Sequence, residues 1–272
     1  MINVFGVKID KNLFPLFKLL ILYINSFFLK QNISYTLLGI KKQKIPYVIG
    51  ITGSVSAGKT TTAKLLQLLL TNYFRCYKIN IIATDGFLYP NKTLIKYGIM
   101  AKKGFPQSYN LKNLLQLLYD IKSGVDTLCI PIYSHILYDI IPDKQQIIKN
   151  PDILIIEGLN ILQNNLLNVC KQIHTSGFID FSIYIDAHEN LLKLWYVDRF
   201  LKFCRQSIYN SSSYFHRYSK LETTELINIA QYIWNTINMV NLYNNILPTK
   251  NMASLIITKG INHTIINMQL KK

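Results

Sequence analysis

Residues 46–60 read PYVIGITGSVSAGKT, and this stretch decides the fold. The run up to Thr52 is apolar without strict alternation, as in a strand covered on both faces. Gly53, Ser54, Val55, Ser56, Ala57, Gly58, Lys59 and Thr60 then satisfy G-x-x-x-x-G-K-[ST], and the helical pattern TTAKLLQLLL follows at once. Between a buried strand and a helix, glycines let backbone N–H groups approach an oxyanion, and the helix N-terminus adds the positive end of its dipole. Lys59 is placed to reach β- and γ-phosphates, and the Thr60 hydroxyl to ligate Mg²⁺. The motif therefore predicts a binding loop for ATP.

Outward from that loop, the chain of 272 residues is long enough for one large α/β domain or two small ones, and half of it is hydrophobic, which excludes a disordered polymer. Its formal charge is +16, but the basic residues are spread along the chain and no nucleic-acid-binding module is visible, so no nucleic-acid partner is expected. Cys76, Cys129, Cys170 and Cys204 are scattered without a CxxC pair, and the histidines show no ligand spacing. They predict neither a Cys/His metal site nor a disulfide framework, but buried or inert thiols in a reducing compartment.

LFPLFKLLILYINSFFLK, residues 13–30, raises the question of a membrane span. Pro15, Lys18 and Asn25 interrupt it, and its longest uninterrupted apolar run, Leu19 to Ile24, falls far short of the roughly 20 residues a span needs. No signal-peptide cleavage pattern follows it. Leu16, Phe17, Leu20, Ile21, Tyr23 and Ile24 instead predict a helical stripe against a protein core, and no membrane partner is expected.

From residue 45 on, apolar runs alternate with helical stretches. That pattern predicts an α/β fold, a mostly parallel sheet with helices on both faces. Strands are expected at 46–52, 80–84, 127–133, 152–157, 180–185 and 254–258, and helices at 59–72, 109–122, 189–204 and 222–240. Residues 1–44 read as a helical segment packed on a domain spanning 45–272.

Two carboxylates close strands at the edge where α/β sheets place their ligands: Asp85 in NIIATD and Glu157 in DILIIE, each followed by a glycine that predicts a sharp turn. Such acids serve either as a base for an attacking hydroxyl or as support for a metal ion. The apolar run before Glu157 suits the metal side, and the position of Asp85 after the second strand suits the base. In PIYSHILYD, Tyr133 and His135 project to one side of a strand with Tyr138 at the turn, a cluster able to hydrogen-bond a polar ligand. Arg199 lies one helical turn from Trp195, Tyr196 and Phe203, where a guanidinium can stack on rings and reach a transferring phosphoryl group. Asn238, Asn241 and Asn245 share a helical face near Trp234.

With these residues in place, the chain resembles the prokaryotic type I pantothenate kinases from about Leu16 to its C-terminus. The likeness is carried by GSVSAGKTTTAKLLQ, TDGFLYPN, MAKKGFPQSYN, PIYSHILYDIIPD, PDILIIEGLNILQ, DFSIYIDA, WYVDRFLKF, SYFHRYSKL, NILPT and ASLIITKG. The resemblance implies a P-loop kinase fold and ATP-dependent phosphorylation of pantothenate at the start of coenzyme A synthesis. It further implies a cytoplasmic homodimer and feedback inhibition by coenzyme A at the ATP site. By motif it makes Asp85 the base, Lys59 the phosphate-binding lysine, Arg199 the cation on the transferring group and Glu157 a support for Mg²⁺. It assigns Tyr133, His135, Tyr138, Tyr196 and Asn238 to the pantothenate pocket, and Phe203, Tyr214, Phe215 and Tyr218 to an aromatic wall. The family carries a longer N-terminal extension than precedes residue 13 here, an expected cost to fold or dimer. Relatives tend to have an aromatic residue where Ile208 stands, which predicts a looser pocket wall, and often arginine where Lys64 stands, which predicts altered feedback. A uridine or phosphoribulose kinase of the same P-loop group is the nearest alternative.

Overall fold

The computed structural model describes residues 2–4, 7–163 and 175–271. Cys170 lies outside them. In chain order the elements are β1 (Ile2–Val4), β2 (Val7–Ile9), α1 (Leu13–Leu38), β3 (Tyr47–Gly53), α2 (Lys59–Tyr73), β4 (Ile79–Ala83), α3 (Asn91–Lys96), α4 (Leu111–Lys122) and β5 (Thr127–Ser134). They continue with β6 (Asp139–Lys149), β7 (Ile153–Glu157), β8 (Phe181–Ala187), α5 (Glu189–Ser207), α6 (Thr223–Ile233), α7 (Met239–Asn241), β9 (Leu255–Lys259) and β10 (Ile265–Leu270).

A six-stranded sheet in the order β10-β9-β8-β3-β7-β4 forms the centre. Five strands are parallel and β10 runs antiparallel on the edge. Every residue of β3 is buried, which its unbroken apolar run requires of a strand with helices over both faces. Register carries this into function: Ile51 and Ala83 both pair with Glu157, so the carboxyl ends of β3, β4 and β7 finish together.

The run at 127–133 does form a strand, but outside the main sheet. β5 pairs antiparallel with β6, a strand the sequence does not announce because its residues are largely polar and exposed. Only residues 135–138 separate the two, far too few for the crossover that parallel pairing needs. Ile2–Val4 and Val7–Ile9 pair as antiparallel strands β1 and β2 rather than forming helix. The helix expected at 222–240 continues instead through two wide π-turns, Trp234–Asn238 and Leu242–Ile246, on either side of α7. It ends in a 3₁₀ turn at Leu247–Met252, where Pro248 offers no N–H to extend it.

α1 belongs to the core. Leu13, Leu16, Leu20 and Ile24 are at most 2% exposed and join the cluster around β3, each worth about 1.5–3 kcal/mol of burial. Ile21 is buried and Phe17 partly so, whereas Tyr23 is 44% exposed with its ring 5.2 Å from that of Phe181. By length and composition alone α1 could cross a bilayer, but one of its faces is fused to the sheet-packing core. Its opposite face leaves Leu22, Leu29, Ile33 and Leu37 exposed. Among the remaining cysteines, Cys204 is buried and its thiol pKa is pushed up to about 11 by burial, while Cys76 and Cys129 are exposed free thiols.

Candidate active site

The glycine-containing loop leaves β3 and becomes α2. Gly58 caps α2 with φ +88°, and a Cβ there would press on Lys259 Nζ, so the position requires glycine. Lys59 Nζ donates to the Ser54 carbonyl at 2.9 Å, curling the side chain back over the loop. The Ser54 and Ser56 hydroxyls are buried with no partner among the described residues. Buried donors without partners, beside main-chain amides at a helix N-terminus, fit the oxygens of a phosphate chain.

Thr60 Oγ1 donates to Glu157 Oε1 at 2.7 Å. Glu157 is 8% exposed; burial raises its carboxyl pKa, against the pull of the Lys59 ammonium. Burial likewise lowers the Lys59 pKa, opposed by Glu157 and Asp85. This oxygen pair, hydroxyl and carboxylate, fits a hard cation such as Mg²⁺. Asp85 Oδ1 accepts from the Tyr109 hydroxyl at 3.4 Å, a long hydrogen bond from a buried phenol.

The glycines after the two carboxylates do something other than turn. Neither has a left-handed φ. A Cβ on Gly158 would collide with Thr84, and one on Gly86 with the Pro131 carbonyl. Their lack of a side chain lets the ends of β4 and β7 and the β5–β6 hairpin close on one another, which brings Asp85 and Glu157 to one place.

A cavity of about 450 Å³ joins these groups. Val55, Lys59 and Thr60 line one end, Asp85 and Glu157 the middle. Gly53, Ser54, Ser56, Ala57 and Gly58 do not line it, and Gly58 opens instead toward Lys259 and His263. The far end is aromatic. Tyr133 lies 5.3 Å from His135 and 6.4 Å from Tyr138 between ring centroids, and Tyr138 lies 4.5 Å from Tyr214. Phe203 stacks on Phe215 at 5.1 Å, and Tyr218 meets Phe200 at 5.4 Å. The Arg199 guanidinium sits 5.3 Å from the Phe203 ring, and among the described residues no carboxylate pairs with it. Tyr196 and Asn238 both line the cavity, and Asn238 Nδ2 is buried without a hydrogen-bond partner among the described residues. Burial lowers the His135 pKa, favouring its neutral form. All nine residues expected to contact an acceptor thus line the cavity.

Ile208 is 50% exposed at the end of α5, Lys64 is exposed on α2, and neither lines the cavity. Three residues that sequence reasoning missed are close to the chemistry. Lys103 Nζ donates to Asn91 Oδ1 at 2.6 Å and to the Tyr138 carbonyl at 2.5 Å, and sits 4.2 Å from the Tyr138 ring centre. Burial lowers its pKa to about 8. Tyr109 touches Asp85. Lys259, 6% exposed, reaches Thr62 Oγ1 at 3.2 Å beside the loop, and burial together with Lys59 lowers its pKa to about 8. The block MAKKGFPQSYN contained the first two, but nothing local distinguishes them; Lys259 becomes visible only once β9 is paired with β8.

A phosphate loop on a parallel sheet, two carboxylates at the strand ends and an enclosed pocket for a second ligand define an ATP-dependent P-loop kinase. The Phosphoribulokinase / Uridine kinase family matches residues 48–202. Pantothenate kinases from Yersinia pestis (strain Pestoides F) and Yersinia pseudotuberculosis serotype O:1b are each 50% identical to the chain over 260 residues, 95% of this chain and 82% of theirs. The chain belongs to the pantothenate kinase family. Among solved structures, D-glycerate 3-kinase from Cryptococcus neoformans is 16% identical with a TM-score of 0.60, covering 94% of this chain and 99% of its own. The YGR205w protein is 17% identical with a TM-score of 0.58, covering 92% and 97%. These two likenesses speak to the fold alone.

Proposed function

We propose that this enzyme transfers the γ-phosphoryl group of ATP to the 4′-hydroxyl of pantothenate, giving 4′-phosphopantothenate, the first step of coenzyme A biosynthesis. The observation that carries the reading is that Lys59 and Asp85 line one cavity whose other end is aromatic and amide-lined. Residues 53–60 hold the phosphate chain through main-chain amides, with Lys59 against the β- and γ-phosphates. Asp85 takes the hydroxyl proton as the acceptor oxygen bonds to the γ-phosphorus and the bond to the bridging oxygen breaks, releasing ADP. Lys59 and Arg199 offset the charge on the group in flight, so catalysis rests on positioning and electrostatics. Thr60 and Glu157 would hold Mg²⁺, which neutralises phosphate oxygen charge. The Tyr133, His135, Tyr138, Tyr196 and Asn238 side chains orient pantothenate, and Phe203, Tyr214, Phe215 and Tyr218 cover its apolar end.

Feedback by coenzyme A follows from the same continuity: a ligand with both phosphates and a pantetheine arm can occupy the loop and the aromatic end together. A cytoplasmic homodimer completes the proposal. Leu22, Leu29, Ile33 and Leu37 recur at intervals of seven, four and four along α1, a narrow apolar seam suited to a second copy of the same helix. Residues 1–44 then serve the domain of residues 45–272 as both core helix and interface. A panel of acceptors with labelled ATP tests the function: pantothenate should be phosphorylated, and transfer to uridine but not pantothenate would overturn it. Coenzyme A should raise the KM for ATP without lowering kcat.

A further inference from the structure

Four side-chain amides from two distant segments gather beside the cavity, whose lining includes Asn241 but not the other three, and the catalytic scheme uses none of them. Asn160 and Gln163 follow β7; Asn241 and Asn245 belong to α7 and the π-turn after it. Asn241 Nδ2 donates to the Gly104 carbonyl at 3.0 Å, and Asn160 Nδ2 donates to the same oxygen at 3.3 Å. Asn245 Nδ2 donates to Asn241 Oδ1 at 2.8 Å, and Gln163 Nε2 to Asn160 Oδ1 at 3.1 Å. Gln163 Nε2 also reaches the Asn245 carbonyl at 3.2 Å, closing the group into a ring. Asn160 and Asn241 are 4% and 3% exposed.

Two of the ring's five hydrogen bonds end on one carbonyl, that of Gly104. Gly104 has φ +94°, and its own N–H donates to Ser108 Oγ at 2.9 Å, so both polar groups of its backbone are fixed. Its neighbour Lys103 extends into the cavity over Tyr138 and Tyr133. A carbonyl with two lone pairs filled by buried amide donors cannot rotate without leaving both donors unpaired. The backbone next to Lys103, whose ammonium is held at its far end by Asn91 and the Tyr138 carbonyl, is thereby fixed as well.

We infer that Asn241, with Asn160 beside it, is a positioning residue that holds the Lys103–Gly104 turn so that the Lys103 ammonium stays in the acceptor half of the cavity. Asn241 acts through Lys103 and not on the reacting atoms. This inference rests on the assignment of pantothenate, an anion, as the acceptor.

The test is a double-mutant cycle on the full-length enzyme with Lys103→Ala, Asn241→Ala and the pair, measuring KM and kcat for both substrates. Asn241→Ala should raise the KM for pantothenate roughly ten-fold, leave the KM for ATP within two-fold, and add little to Lys103→Ala, because neighbours acting through one group are not additive. Should Asn241→Ala fail to fold, Asn160→Ala enters the same cycle with the same expectations. An unchanged KM for pantothenate, an equal rise for both substrates, or a full multiplicative effect on top of Lys103→Ala overturns the inference. If the wild-type enzyme does not turn over pantothenate, the acceptor assignment falls and this inference with it. A wild type active on pantothenate with a silent Asn241→Ala defeats the inference alone.

Discussion

The nucleotide end of the site is one loop of eight consecutive residues, 53–60, of which Val55, Lys59 and Thr60 line the cavity, whereas the acceptor end is assembled from segments scattered between Met100 and Asn241. The first uses backbone amides, three residues of positive φ (Gly53, Ser56 and Gly58) and a lysine folded back on its own loop. The second uses rings and amides that meet only because the β5–β6 hairpin, α5 and the π-turned helix converge. A contiguous loop concentrates its function in a few atoms, so single changes there should be all-or-none in kcat. A wall of many partial contacts should yield graded losses in KM.

Four experiments can break or sharpen that contrast. Lys59→Ala should remove turnover by three orders of magnitude or more, since it deletes the cation nearest the transferring phosphates; steady-state kinetics with labelled ATP checks this. Arg199→Ala should cost roughly 10²- to 10³-fold in kcat with a much smaller change in KM for pantothenate. If Lys59→Ala kept half its activity, the two ends would not differ as argued.

The acceptor end should respond more gently. kcat/KM for pantothenate should fall as pH rises through about 8, because Lys103 loses its proton there and with it the charge that faces an anionic acceptor. Lys103→Arg should move that limb beyond the measurable range. Tyr214→Ala, which removes a ring stacked near Tyr138, should raise the KM for pantothenate about three- to ten-fold and leave kcat within two-fold. Outside the cavity, Ile33→Lys should give a monomer by light scattering with kinetics close to those of the parent.

The same contrast explains what the sequence disclosed. The strand, loop and helix at 46–72 were legible because their signal is local: an apolar run, fixed glycine offsets, a helical period. Asp85 and Glu157 were legible as strand ends, but the reason for the glycines beside them was not, since Gly158 answers to Thr84 and Gly86 to Pro131 across the fold. The hairpin strand at 139–149 escaped because a polar, exposed strand has no hydrophobic signature. Lys103, Tyr109 and Lys259 escaped because a lysine or tyrosine becomes functional only through what long-range packing sets against it. The aromatic wall was found through resemblance and not through spacing.

One measurement bears most directly on the claim that the loop and the acid serve a single reaction. Rapid-quench single turnover on Asp85→Asn, with ATP affinity determined in parallel, separates binding from transfer. The account predicts ATP binding within two-fold of the parent and phosphoryl transfer to pantothenate slowed about 10³-fold, the range for loss of a general base. Transfer at a rate near that of the parent would contradict it.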